Sequence, residues 1–370
     1  TPIELDSNAN AWAVNGHDDR SVAFAARLME KGVNVRIVDQ STKISGAKIS
    51  RGSVIVATVD NPDLSNLSKL VADEAKYLGT PIASISSGYG KGDLPDWGGR
   101  HFRLLNRPQV AILSHDGFNS YDVGASWWSI DHHLGIRHSQ INSSFISRAD
   151  LRRYNTIVMP SGSRNLNASE TSMLSDWVKQ GGTLIAHGWS TNSLASDEGI
   201  GTVRRVQDTF EKAQEYDLKV QRELLAENYK LEMKSVMSHY VDTETPYPWK
   251  SGAAILSKDE LEKRDKWQSI FMPSGAMVVG RVDSEHWLTF GTPEILPLLY
   301  GNQPILMTNN QSEAVVRIGK LNKNYGSEDA RAINWSTLPS GYDMQVRMSG
   351  LVWPEASQRI ANSAYLTRER

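Results

Sequence analysis

The feature that most constrains this fold is a repeated unit: a short, unbroken apolar run, then an amphipathic stretch closed by glycine. Runs of four or five apolar residues are too continuous for a strand with one wet face, so they read as strands buried on both sides. Ala11-Trp12-Ala13-Val14 opens the series and Asn15 to Asp19 turns the chain. Val22, Ala25, Ala26 and Met29 then recur at helical spacing over residues 21–31, and Gly32 is the stop. Residues 33–38 and 53–57 read as strands, residues 64–78 as a helix ended by Gly79, and residues 81–85 as a strand. The β-α-β rhythm predicts a small parallel α/β domain over residues 1–106. Ser87-Gly88-Tyr89-Gly90-Lys91-Gly92 has the glycine content of a phosphate-cradling loop. Asp93-Leu94-Pro95 follows where such a loop needs a helix, so a linker or surface loop is the preferred reading.

After Arg107-Pro108 the rhythm restarts. Residues 109–113 are a strand ending in His115-Asp116-Gly117, and Ser120 or Asp122 is placed to cap a helix running to about Leu134, with Gly135 as its stop. Thr156 to Met159 is a strand broken at Pro160-Ser161-Gly162-Ser163. Residues 168–179 form a helix with Met173, Leu174, Trp177 and Val178 on its apolar side. Leu184-Ile185-Ala186 is the next buried strand, and His187-Gly188-Trp189 turns it sharply toward a helix that Ser190 or Thr191 is placed to cap. Three strand ends thus aim loops at one place, the carboxyl edge of a parallel sheet, where α/β proteins bind ligands and hold nucleophiles.

At 370 residues the chain is long enough for two or three cores, and 39% hydrophobic with 22% charged residues is a globular balance. A net charge of −2 gives no reason to expect nucleic acid or an anionic membrane as partner, and no apolar run approaches a bilayer span. The cysteine count is 0, which excludes thiolate chemistry. Thr1 is neither an initiator methionine nor the start of a signal peptide, so a processed or trimmed end is expected; the stop at Arg370 suggests a truncated tail.

The histidines are His17, His101, His115, His132, His133, His138, His187, His239 and His286. None begins a His-x-x-Glu pair, so no zinc site is expected within the chain. His115, His187 and His286 each fall at a predicted strand end. One of them beside Asp116, Asp122 or Glu285 would make an acid/base pair. Ser190 is a candidate nucleophile, with helix capping as its alternative role. Tyr121, Trp127, Trp128 and Trp189 are either core or a surface for a sugar or peptide. The candidate ligand pocket therefore comprises His115, Asp116, Ser120, Tyr121, Asp122, Ser161, Gly162, His187, Gly188, Trp189, Ser190, Glu285 and His286.

Residues 202–231 are rich in charge, with Val203, Val206, Phe210, Ala213, Val220 and Leu224 near heptad spacing. A helix packed over its own domain is preferred to a partner-binding coiled coil. Tyr247-Pro248-Trp249 marks a turn, so the helical insertion occupies about residues 202–248 of a domain spanning 107–370. Residues 275–282, 305–307, 315–318 and 364–367 read as strands and 354–361 as a helix.

Several of these stretches in order resemble the amidotransferase-like region found downstream of the peptidase domain in certain bacterial M14 zinc carboxypeptidases. They are Arg107-Pro108-Gln109-Val110-Ala111-Ile112-Leu113, Ser120 to Gly124 with Trp128 and Asp131, Val158 to Gly162, Trp177 to Ala186, His286 to Gly291, and the tail from Ser349 to Arg370. The resemblance implies a flavodoxin-like, class I glutamine amidotransferase-like parallel sheet with helices on both faces, preceded by the smaller α/β domain. A class I amidotransferase carries cysteine at the elbow; here His187 or Gly188 occupies that position, while Ser161-Gly162 keeps the oxyanion-side turn. It further implies a secreted or periplasmic location, and zinc and proteolysis confined to an upstream peptidase domain, which becomes the main partner. This region would then be non-catalytic, binding a peptide or glycan or stabilising the peptidase. The alternatives are a stand-alone hydrolase using Ser190 or a His–carboxylate pair (His187 or His286), and an assembly module using the 203–231 helix.

Overall fold

The structure, a computed structural model, describes residues 5–6, 8–17, 19–195, 199–216, 219, 220, 223, 256–309, 311–321 and 344–370. Leu224, His239, Tyr247, Pro248 and Trp249 lie outside the described residues. The chain divides into two compact units, one of residues 1–191 with 284–293 and one of residues 192–283 with 294–370.

The first unit holds two main sheets. One is built from β1 (Ala11–Val14), β2 (Arg36–Val38), β5 (Val54–Ala57), β6 (Ala83–Ile85) and β7 (Phe102–Leu104), in the order β6-β1-β5-β2-β7. A hairpin of β3 (Thr42–Ile44) and β4 (Ala47–Ile49) stands beside it. The expected parallel pairing is wrong here, because every neighbouring pair of the five runs antiparallel. The β-α-β units themselves are present. Helix α1 (Asp19–Glu30) joins β1 to β2 and α2 (Leu67–Leu78) joins β5 to β6. Each joined pair is parallel but separated by one strand of the other pair, so the two units interleave.

The continuous apolar runs have a clear cause. Trp12, Val14, Val54 and Val56 face α1 and α2, packing on Phe24, Leu28, Val71 and Ala75. Their alternates Ala11, Ala13, Ile55 and Ala57 pack on Ile44, Ile49, Trp97 and Phe102 on the other side. Burial on both faces removes the polar alternation but carries no information about strand direction.

The second sheet is parallel throughout. It consists of β8 (Val110–Ser114), β9 (His138–Asn142), β10 (Thr156–Met159) and β11 (Thr183–Ala186), in the order β11-β10-β8-β9. Numbered within this sheet the order is 2-1-3-4, so the chain reverses its direction of build between β8 and β10. Helix α3 (Ser120–Trp127) follows β8 and continues as a π-helical turn over Trp128–His133. Its cap is Asn119, whose side chain accepts from the Tyr121 amide, rather than Ser120 or Asp122. Helix α4 (Ala168–Lys179) links β10 to β11 and starts with a capping box between Asn167 and Glu170. Ala26 of α1 packs with Val110, Ile112 and Val158, and Glu30 accepts from Arg107 and Arg137 at 2.9 and 3.0 Å, so α1 is shared between the two sheets.

The second unit is built on antiparallel pairing. Strands β12 (Arg204–Arg205), β15 (Leu306–Met307), β20 (Ala364–Glu369), β16 (Ser312–Ile318), β13 (Ala276–Val282) and β14 (Ile295–Tyr300) run in that order, with β19 (Arg347–Ser349) also on β13. Its described residues also form the ladder of β17 (Lys320–Leu321) and β18 (Met344–Gln345) and helices α5 (Asn192–Ala195), α6 (Lys258–Ser269) and α7 (Pro354–Ile360). The carboxyl-terminal strands therefore do not extend the parallel sheet. Val206, Phe210 and Ala213 of the heptad-like stripe are buried in this unit's core with Leu261, Val278 and Val316. The described part of that stripe packs on its own unit, and residues 206–212 are a 3-10 helix.

Candidate functional site

The three loops expected to meet at the carboxyl edge of the parallel sheet do meet. The loop after β8 bridges the loop after β10 through a pairing of Phe118 with Gly162, and the Asn119 amide donates to the Ser161 carbonyl at 2.9 Å. The Ser163 amide returns a bond of 2.8 Å to the Gly117 carbonyl. Gly162 is required by this approach, since a Cβ there would lie 2.2 Å from the Gly117 oxygen.

The loop after β11 joins through Ser161. Gly188 holds φ at 59°, a left-handed conformation that makes it, rather than His187, the residue at the apex of the elbow. A Cβ on Gly188 would sit 2.3 Å from the Ser161 hydroxyl oxygen. That same oxygen accepts the Trp189 amide at 3.1 Å. In enzymes with a nucleophile elbow, the amide after the nucleophile helps to stabilise the oxyanion. Here that donor is already engaged by Ser161, and the apex carries no side chain. Ser190 is fully enclosed, and its hydroxyl donates to the Pro160 carbonyl at 2.5 Å, so it ties β10 to β11 instead of capping a helix. Thr191 likewise bonds back to the Gly188 carbonyl at 2.7 Å.

His187 is half-buried, with its amide on the Met159 carbonyl and its Nε2 3.2 Å from the Ser126 hydroxyl of α3. Burial lowers its pKa below the ordinary 6.5, and the Asp122 carboxylate opposes that shift. The imidazole is therefore neutral at pH 7, able both to donate and to accept a hydrogen bond. Ser126 also donates to the Asp122 carbonyl at 2.8 Å, a helical back-bond, so its hydroxyl proton is committed to the backbone. Ser126 did not figure among the sequence candidates. Its signal was the spacing, four residues beyond Asp122 on the same helical face.

The other candidates have separate engagements. His115 holds φ at 68°, and its Nδ1 lies 2.7 Å from Ser114 Oγ of its own strand. Asp116 accepts from Ser144 at 2.5 Å, and its carbonyl accepts from Ser143 at 2.7 Å, so both look toward the end of β9. His286 caps a single 3-10 turn, accepting the Leu288 amide at 3.1 Å. Arg51, in the β4–β5 turn, donates to the Ser284 and Glu285 carbonyls and lies over the Phe290 ring, which holds this segment against the first sheet. Asp122 is the carboxylate whose charge acts on His187.

The aromatic candidates are not core. Tyr121 is 88% exposed, Trp128 53%, Trp189 45% and Trp127 38%, and neither α3 nor its π-helical extension has a buried residue. Ser120 is exposed at the start of the same helix. Two hollows of this unit lie elsewhere, about 570 Å³ beside Leu151, Met173 and Trp177 and about 660 Å³ beside Trp12, Asn61 and Leu67.

Three amides of the glycine-rich loop are taken internally, Ser87 by Ser45 Oγ at 3.0 Å, Gly90 by Asp96 at 2.6 Å and Lys91 by the Lys43 carbonyl at 3.0 Å, which counts against a phosphate cradle. Among the described residues no three His, Asp or Glu side chains gather as a metal site, and no helix is long and apolar enough to cross a membrane. No protein-family model, curated protein or solved structure matches this chain.

Proposed function

We propose that this chain is the non-catalytic, amidotransferase-like accessory region of a secreted or periplasmic zinc carboxypeptidase, with proteolysis carried by a separate upstream domain. Its parallel sheet binds a ligand or stabilises that domain at the elbow formed by residues 115–122, 160–163 and 187–191. The observation that carries this reading is the closed elbow. Gly188 leaves no room for a nucleophile, Ser161 occupies the Trp189 amide, and Ser190 is buried on a backbone carbonyl. The 2-1-3-4 strand order supports the fold part of the proposal, because flavodoxin-like sheets run 2-1-3-4-5 and bind ligands at the reversal point. That point lies between β8 and β10, where the loops join.

The test is turnover. The purified chain, offered glutamine, a p-nitrophenyl ester and a carboxypeptidase peptide substrate, is expected to give no hydrolysis above background. Hydrolysis that disappears in His187→Ala or Ser126→Ala would overturn the proposal. Loss of that hydrolysis in His187→Ala would favour the hydrolase alternative, in which a His–carboxylate pair, His187 with Asp122, does the acid/base work. For the parent protein, a reading frame lacking a His-x-x-Glu pair and a later histidine upstream of Thr1 would remove the carboxypeptidase assignment.

A further inference from the structure

We propose that the exposed aromatic line on α3, with the elbow beside it, is a binding platform for a β-1,4-linked glycan. This names the ligand class for the elbow and rests on the binding reading given above. Tyr121 and Trp128 are seven residues apart, so they lie on one line of the helix, about 10 Å from each other along its axis. That separation matches the repeat of a β-1,4-linked disaccharide, in which every second pyranose presents the same face. Both rings are open to solvent, at 88% and 53%. The Trp128 ring stacks on His132 at 3.9 Å and 9°, with Trp127 tilted beside it at 6.3 Å and 57°, so the ring is held in place while one face stays open enough to leave the residue exposed. A pyranose offers its axial C–H bonds to such a face, and a flat ring covers it without ordering a long, flexible side chain.

The polar groups beside the line suit hydroxyls. Asp122 and Ser126 lie on the adjoining face of α3, turned to neutral His187, and Trp189 stands exposed two residues beyond His187. A carboxylate, a hydroxyl and a neutral imidazole provide acceptors and donors for vicinal hydroxyl pairs. Cationic residues are scarce here. Between Gln109 and Ile146 the sequence has no lysine, and Arg137 pairs with Glu30. Arg164, in the next loop, is bound to Glu170 and the Ser143 carbonyl. An anionic ligand therefore has no counter-charge at this surface, whereas an uncharged polyol needs none.

The experiment measures binding of the whole chain to the hexamer of β-1,4-linked N-acetylglucosamine by titration calorimetry and tryptophan fluorescence. Maltohexaose is the α-linked control and trilysine the cationic one. The hexamer is expected to bind and maltohexaose not. Tyr121→Ala and Trp128→Ala are each expected to weaken binding about tenfold with unchanged thermal midpoints, as for loss of one stacked ring. Trp267→Ala, at an exposed ring of the other unit, is expected to change nothing. Hexamer binding that survives both α3 substitutions would overturn the inference. If trilysine binds with those losses and the hexamer does not, the glycan is wrong but binding at the elbow stands. If neither binds, the glycan inference falls, while the non-catalytic reading of the elbow stands or falls separately by the turnover test.

Discussion

Helices α1 and α3 occupy equivalent places, each following the first strand of its sheet, yet they are used in opposite ways. Seven of the twelve residues of α1 are buried, Phe24 and Leu28 completely, and its last turn is tied to α2 and to the parallel sheet through Arg27 and Glu30. Helix α3 has no buried residue and shows a tyrosine and tryptophans to solvent. Hydrophobic content does not separate the two, since α3 is the more apolar of them. What separates them is what lies underneath. α1 covers both sheets, whereas α3 stands at the end of β8 with one polar face turned to the elbow. Exposed apolar surface of this kind often marks a place of contact, and here it adjoins the strand-order reversal of the parallel sheet.

That contrast can be broken by substitution. Phe24→Ala in α1 should cost about 4 kcal/mol of stability in urea unfolding, as for other buried aromatic truncations. Trp128→Ala should stay within about 0.5 kcal/mol of the parent, the range of surface changes. Near-equal losses would erase the distinction. Glu74 is next: it is 4% exposed and accepts from Arg27 at 2.7 Å and from Lys31. Burial alone would raise the Glu74 pKa, but the bonds from Lys31 and Arg27 outweigh it and hold the carboxyl below its usual 4.5. Glu74→Ala should cost about 3 kcal/mol by leaving Arg27 unpaired at the α1–α2 contact.

At the elbow, Gly162→Ala places a Cβ against the backbone of the β8 loop and should cost about 2 kcal/mol in the same assay. The smallest effect belongs to His187. Its folded-state pKa is lowered, so the unfolded chain binds the proton more readily. Above pH 6.5 the shift costs nothing, and stability is lost as pH falls from there through the depressed folded value. Thermal midpoints measured between pH 8 and 5 should therefore fall more steeply in the parent than in His187→Gln, and identical slopes would refute the assignment.

Much of the fold was legible in the sequence, and the failures have physical causes. The short apolar runs located β1, β2, β5, β6, β8, β10 and β11 of the first unit but not β3, β4, β7 or β9. Strand β11, expected to be buried, lies at a sheet edge with Ile185 46% exposed. In the first sheet the runs are continuous because both faces are covered, by α1 and α2 on one side and by the β3–β4 hairpin and Trp97 on the other. The same two-sided burial hid strand direction, so interleaved antiparallel pairing was read as parallel. Asn119, Ser120 and Asp122 are all competent caps, and only backbone geometry picks out Asn119. In the site, the meeting of the three loops followed from strand-end positions. The conversion of Ser161 and Ser190 into internal struts did not, because a hydroxyl that fills an amide and one that attacks a carbonyl have the same letter. Gly188 was one of two choices for the elbow apex, and its positive φ decides between them.

The most direct test of a closed, non-catalytic elbow is intact mass after incubation with a fluorophosphonate, which labels serines activated by a neighbouring base. The expected result is an unmodified chain, since Ser190 and Ser126 both donate to backbone carbonyls and Ser161 serves the Trp189 amide. A stoichiometric adduct mapped to Ser126, Ser161 or Ser190 would contradict the account.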